Sequence, residues 1–260
     1  MGEPITGTAA GVPYTALPPS TETNALVVSW HMMDAPRTNA AFAAALPLND
    51  VAAWRVHFGL PFCGARMDNG TMDAALERAK ADSVLGYFAL FIRLAVEEFP
   101  AALADVRKQL SIGDGLLFAL GGSLGAAIAL QNLTKVSFAG AAIVNGLIRV
   151  RAGVSLAEDI WGTPYQWTEE SAAAADELDF IARAAELAET PLLVVSGEED
   201  HPVLRADAAQ LVEKLPNAEL ATIPGLAHPL ADEPGMEPAP QLPVAKKVDE
   251  RLTQWFAQYV

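Results

Sequence analysis

Residues 116–130 read Leu116-Leu117-Phe118-Ala119-Leu120-Gly121-Gly122-Ser123-Leu124-Gly125-Ala126-Ala127-Ile128-Ala129-Leu130. The apolar run 116–120 predicts a fully buried strand. The small, helix-forming residues 126–130 predict a helix. Between them lies G-x-S-x-G, centred on Ser123. Strand, turn and helix in that order make the sharp elbow that presents a serine at the head of a sheet. The serine's backbone is driven toward positive φ, and side chains beside it would clash with the crossing strand and helix, so glycine flanks it. The turn also sets the Ser123 hydroxyl and the Leu124 N–H at a helix N-terminus, where negative charge is favoured. By itself the pattern also fits a tight turn in any α/β protein. A dinucleotide-binding turn fits less well, because Ser123 stands where G-x-G-x-x-G has its second glycine.

Working outward, strands and helices alternate. Apolar, β-branched runs at 25–30 and 191–196 predict buried strands. Residues 12–17 predict a short edge strand, and 51–58, 136–144 and 219–223 predict further strands. Helices are expected at about 38–45, as two or three helices over 72–110 with a break at Pro100, at 204–215 and at 244–258. Residues 147–190 are too long for a simple crossover and predict a lid-like insertion. Its second half, 171–188, reads as an amphipathic helix; its first half, with Trp161, Tyr165 and Trp167, has no regular period. Residues 232–243, rich in Pro and acidic residues, predict a surface loop. The pattern describes a doubly wound, mostly parallel sheet with helices on both faces, in one domain over 1–260.

In such a sheet, functional residues gather where strands end. Ser123 ends one strand, Asp200 follows the strand 191–196, and His228 follows the last strand. A serine hydroxyl is a weak nucleophile unless a base lies within hydrogen-bond reach and an acid orients that base. The order Ser, acid, His is the one expected with this elbow. Glu198 and Glu199 neighbour Asp200, and His201 is the competitor to His228.

The net charge of −15, from 17 basic and 32 acidic residues, argues against nucleic acid and anionic membrane as partners. The single cysteine, Cys63, excludes an intramolecular disulfide and a cysteine-rich metal site. The four histidines lack ligand spacing, so no metal is expected. No basic region followed by an apolar run opens the chain, so a cytoplasmic location is expected.

With the turns 121–125, 197–200 and 225–228, the chain resembles the α/β-hydrolase superfamily, over nearly its whole length from about residue 12. Its compact size is similar to the dienelactone-hydrolase-like and serine-esterase branches. The dienelactone hydrolases proper carry cysteine in the elbow, whereas here it is serine and Cys63 lies elsewhere. The resemblance implies Ser123 as nucleophile, His228 as base, Asp200 as orienting acid, and an oxyanion hole from the Leu124 N–H and one N–H of the loop His31-Met32-Met33. Met32 stands where the family has glycine; by position the donor is Met33, with Met32 the alternative. His31 is expected to hold that loop. His57 reads as a core or edge histidine. Met32, Met33, Trp161, Tyr165 and Trp167 are candidates for the substrate pocket, or else ordinary packing. The expected activity is carboxylic ester hydrolysis through an acyl-enzyme, on a small-molecule substrate and without cofactor, by a monomer or homodimer. Thioester, peptide or carbon–carbon hydrolysis uses the same machinery, and a non-catalytic binding role is the remaining class.

Overall fold

Apolar runs that are continuous rather than alternating belong to strands covered on both faces. The computed structural model, which describes residues 2–260, bears this out. Eight strands form one sheet: β1 (Ile5–Ala9), β2 (Val12–Leu17), β3 (Leu26–Trp30), β4 (Trp54–Phe58), β5 (Leu117–Gly122), β6 (Gly140–Val144), β7 (Leu192–Gly197) and β8 (Ala218–Ile223). Their order is β1-β2-β4-β3-β5-β6-β7-β8. The β1–β2 and β2–β4 pairs are antiparallel and the rest parallel. Strands β3, β5, β6 and β7 are buried along their whole length.

The pleat divides these strands between two cores. On β5, Leu117 and Ala119 face one core and Phe118 and Leu120 the other; on β7, Leu192 and Val194 oppose Leu193 and Val195. Helices α1 (Asn39–Ala45) and α8 (Pro243–Phe256) close one face through Phe42, Val248, Leu252 and Phe256. The other face is closed by α2 (Asp73–Ala81), α3 (Ala89–Gln109), α4 (Leu124–Leu133), α5 (Val150–Trp161) and α7 (Pro202–Lys214). From β3 the chain crosses to β4 on one side; from β5 it crosses to β6 on the other. Because β3 and β5 are neighbours, a crevice opens at their carboxyl ends, where ligands bind in open α/β sheets.

Four expectations need correction. Residues 12–17 are not the edge, since β1 pairs outside them; β1 is mostly exposed and leaves little apolar signal. Pro100 does not break α3. It is exposed, so water can satisfy the carbonyl that its missing N–H leaves free, while Phe91, Val96, Phe99 and Val106 anchor the helix on either side. The aperiodic half of the insertion contains the regular helix α5, and the expected helix 171–188 is only the short α6 (Glu169–Asp176) followed by turns. α6 begins earlier than expected because Thr168 and Ser171 form a reciprocal cap. The 232–243 segment is the expected surface loop, with neither helix nor strand before α8; it is also pinned. Arg37 pairs with Glu233 and donates to the Pro234 carbonyl, and the Thr38 hydroxyl donates to the Met236 carbonyl. Among the described residues, no helix is long and apolar enough to cross a membrane.

Candidate active site

Ser123 follows β5 with φ 48° and ψ −117°, outside the ordinary regions for a side-chain-bearing residue. The surrounding backbone enforces this: the Ser123 N–H donates to Val144, and its carbonyl accepts from Ala126 and Leu147. A Cβ on Gly121 would lie 2.2 Å from the Gly125 carbonyl oxygen, and one on Gly125 would lie 2.1 Å from the Trp30 oxygen. The two glycines are therefore required by close backbone approach.

His228 Nε2 lies 2.9 Å from Ser123 Oγ, and its Nδ1 lies 2.7 Å from Asp200 Oδ1. The three residues that end β5, β7 and β8 thus form one hydrogen-bonded chain. Asp200 is buried, and its Oδ1 also accepts from the His201 N–H at 2.7 Å. Burial pulls the His228 pKa down, but the Asp200 hydrogen bond and the charges of Asp200 and Asp34 outweigh it, so the net shift is upward. Asp34 Oδ2 lies 3.5 Å from His228 Nε2. His201 has no hydrogen bond to Ser123; its ring packs 5.3 Å from that of His228, centroid to centroid.

A residue not singled out from the sequence ties these turns together. Asn145, directly after β6, is buried and has φ 46°. Its Oδ1 accepts from Gly197 N–H at 2.8 Å, and its Nδ2 donates to the Ala227 and His228 carbonyls at 2.8 and 3.0 Å. One side chain thereby spans the acid-bearing and histidine-bearing turns. The available signal was a polar residue tolerant of left-handed backbone at the end of an apolar strand.

Leu124 opens α4, so its N–H is among those a helix leaves without an internal partner. The Met33 N–H finds no acceptor among the described residues. Both residues line the cavity that holds Ser123. The loop carrying Met33 is set by His31, whose Nε2 accepts from the Leu60 N–H at 3.2 Å, so Nδ1 bears the proton and donates to the Met32 carbonyl at 2.7 Å. Burial lowers the His31 pKa to about 4, which keeps it neutral in that tautomer. His57 is equally internal: it bonds Ser29 Oγ at 2.7 Å, and burial lowers its pKa to about 3. Cys63 is buried and its thiol is pushed up to about 12, chiefly by that burial.

The cavity beside Ser123 has a volume of about 240 Å³. Tyr87, Phe88, Leu124, Leu156 and Trp161 give it an apolar wall, and Asp34 and Arg37 stand among the lining residues. Of the pocket candidates, Trp161 and Met33 lie on it. Met32, Tyr165 and Trp167 do not. Met32 is fully buried in the α1/α8 core, in the space a Cβ on Gly122 would need. Gly162, at φ 64°, ends α5 and turns the chain away from the cavity. Tyr165 then bonds Asp82 Oδ1 at 2.6 Å, and Trp167 stacks under the Arg151 guanidinium at 4.4 Å. Tyr87 and Phe88, absent from the sequence-based candidates, lie in a π-helical turn, Val84–Phe88, ahead of α3. Such turns recur at functional sites.

Asp200, His201 and His228 each bring one metal-ligating atom within 4.8 Å of the others, a grouping not expected from the sequence. Both His228 nitrogens and Asp200 Oδ1 are already committed to the hydrogen-bonded chain. A cation there would have to break that chain.

The sequence matches the family described as the prolyl oligopeptidase family over residues 95–258. No curated protein matches it. Among solved structures, TT1662 from Thermus thermophilus superposes with a TM-score of 0.63 at 18% identity, covering 98% of each chain. A dienelactone hydrolase from Anabaena variabilis gives 0.61 at 15% identity over 100% of both chains. An acylaminoacyl peptidase from Pyrococcus horikoshii gives 0.68 at 12% identity, over 99% of this chain and 42% of the other. At such identities the likeness is one of fold.

Proposed function

The chain belongs to the prolyl oligopeptidase family, within the α/β-hydrolase superfamily, and on that premise we propose that it is a serine hydrolase cleaving small carboxylic esters. The observation that carries this reading is the Asp200–His228–Ser123 hydrogen-bonded chain, beside two N–H groups free to receive charge. His228 Nε2 takes the Ser123 proton as Oγ attacks the ester carbonyl. Asp200 holds the imidazole with Nδ1–H toward itself and stabilises the imidazolium. The Leu124 and Met33 N–H groups meet the oxyanion, each contributing about 3 kcal/mol to the transition state. His228 then protonates the departing alcohol. A water, deprotonated by the same nitrogen, releases the acyl group.

This machinery does not distinguish an ester from a thioester or an amide. A cavity of about 240 Å³ suits a small group better than an extended peptide, which favours the ester. The family match favours a second reading, cleavage of a peptide bond. p-Nitrophenyl esters of increasing acyl length, assayed beside matched thioesters and peptide anilides, separate the two. We expect ester turnover that peaks at short chains and disappears in Ser123→Ala. Retained turnover in that variant would reject the assignment, and turnover of anilides alone would select the peptidase reading.

A further inference from the structure

The charges of the cavity are unequal. Arg37 is its one arginine or lysine, and it is spent on the protein: Nη1 donates to the Met33 carbonyl, Nε to the Pro234 carbonyl, and Nη2 to both Glu233 oxygens. Asp34 is the opposite case. Its side chain is half exposed and makes no hydrogen bond among the described residues, with His228 Nε2 as its charged-group neighbour at 3.5 Å. When His228 is neutral, as a general base must be, the Asp34 carboxylate at the cavity has no cation paired with it among the described residues. The aromatic side chains of Tyr87, Phe88 and Trp161 line the same cavity. A carboxylate together with aromatic faces is the chemistry that holds an alkylammonium group.

The position of Asp34 also lets it reach the alcohol half of the substrate. Nε2 hands its proton to the leaving group over a hydrogen bond of ~2.8 Å, which sets the leaving oxygen within about 6 Å of Asp34 Oδ2. A two-carbon amino alcohol spans that gap. We propose that this cavity takes esters whose alcohol carries a cationic amine, with Asp34 as counter-charge and Tyr87, Phe88 and Trp161 as its aromatic surround. The inference rests on the ester-hydrolase reading above and adds the substrate class to it. It also implies discrimination against anionic alcohols, for which the cavity has no uncommitted cation except a protonated histidine.

The test uses choline and 3,3-dimethylbutanol, a pair of equal shape that differ in one charge, as competitive inhibitors of p-nitrophenyl acetate turnover by the full chain. The readout is the ratio of their inhibition constants, choline over neutral alcohol. The ratio should rise roughly fivefold in Asp34→Asn, the upper end for a half-exposed charge pair. In the unaltered protein it should also rise with added salt, as a screened charge contact requires. A ratio unmoved by both perturbations overturns the inference, and Asp34 then acts only through His228. The salt arm needs no variant, so a poorly folded Asp34→Asn protein would not leave the question open. p-Nitrophenyl acetate turnover that Ser123→Ala abolishes keeps the hydrolase reading standing even if the ratio is flat. Its absence sinks that reading itself.

Discussion

Replacing Asn145 by alanine removes three hydrogen bonds at once. Gly197 N–H loses its acceptor, and the Ala227 and His228 carbonyls lose their donor. These groups are buried or partly buried, so each lost bond costs about 1 kcal/mol. Alanine must also hold the φ of 46° that asparagine tolerates, for about 1 kcal/mol more. The sum is a destabilisation of about 4 kcal/mol, large against the marginal stability of a typical domain. The catalytic consequence is separable. Asn145 is a positioning residue joining the turns that carry Asp200 and His228, and misplacing such groups by about 1 Å costs on the order of 100-fold in rate. Urea unfolding gives the first quantity; kcat/KM on p-nitrophenyl acetate, corrected for folded protein, gives the second. Asn145→Asp sharpens the comparison. It keeps an acceptor for Gly197 N–H but sets a carboxylate against two carbonyl oxygens, so its kcat/KM should fall at least as far as that of the alanine variant. An Asn145→Ala protein within about 1 kcal/mol of the parent and with unaltered kcat/KM would refute the claim that this side chain holds the site together.

Further outcomes follow from the charges. His228 must be neutral to act as a base, and its pKa is raised; kcat/KM should therefore fall on the acid side with a midpoint above the ordinary histidine value, and Asp34→Asn, which removes one raising charge, should move that midpoint down. An acid limb unmoved by Asp34→Asn would contradict this. Asp249 has its pKa raised to about 6, mainly by burial, against a model-compound value of 3.8. Its contribution to stability is fully present below pH 3.8 and is lost as pH rises through about 6. The stability of the parent relative to Asp249→Asn should thus decline over that window, by at most about 3 kcal/mol; chemical denaturation across pH measures it, and a rising difference would show the wrong sign. Arg149, just before α5, pairs with Asp207 of α7, whose side chain is completely buried. Arg149→Ala should destabilise by about 3–5 kcal/mol, because it strands a buried charge, and adding Asp207→Asn should recover part of the loss. Thermal unfolding of the single and double variants decides this, and an Arg149→Ala protein as stable as the parent would contradict it.

The site's skeleton was legible because two of its three parts follow strands whose sequence is unmistakable. Buried parallel strands read as continuous apolar runs, so Ser123 and Asp200 could be placed at the ends of β5 and β7 by counting; β8, mostly exposed, gives no such run, and His228 was placed by its order after the acid. The turn glycines also carry information, since Gly121 and Gly125 have no room for a Cβ. What the strands do not fix was harder to read. The apolar stripe of α5, with Val150, Gly153, Val154 and Ala157 buried at helical spacing, is present in the sequence but lies in a segment that reads as irregular; beyond its end at Gly162, Tyr165 packs partly buried away from the cavity and Trp167 is exposed. Met32 looked like pocket lining, but the alternation that sets Leu26, Val28 and Trp30 on the other core breaks after β3, so Met32 enters the α1/α8 core and Met33 is left to the cavity. Asn145 and Asp34 act across long sequence separations; the local signal at Asn145 marks a turn at a strand end, but not partners about fifty or more residues away.

The central claim is that Ser123 is a nucleophile activated by His228. Intact-protein mass spectrometry after treatment with a fluorophosphonate, followed by peptide mapping, tests it without knowledge of the substrate. The account predicts a single adduct on Ser123, absent from Ser123→Ala and strongly slowed in His228→Ala. An unlabelled Ser123 in folded protein, or labelling that proceeds equally well without His228, would contradict it.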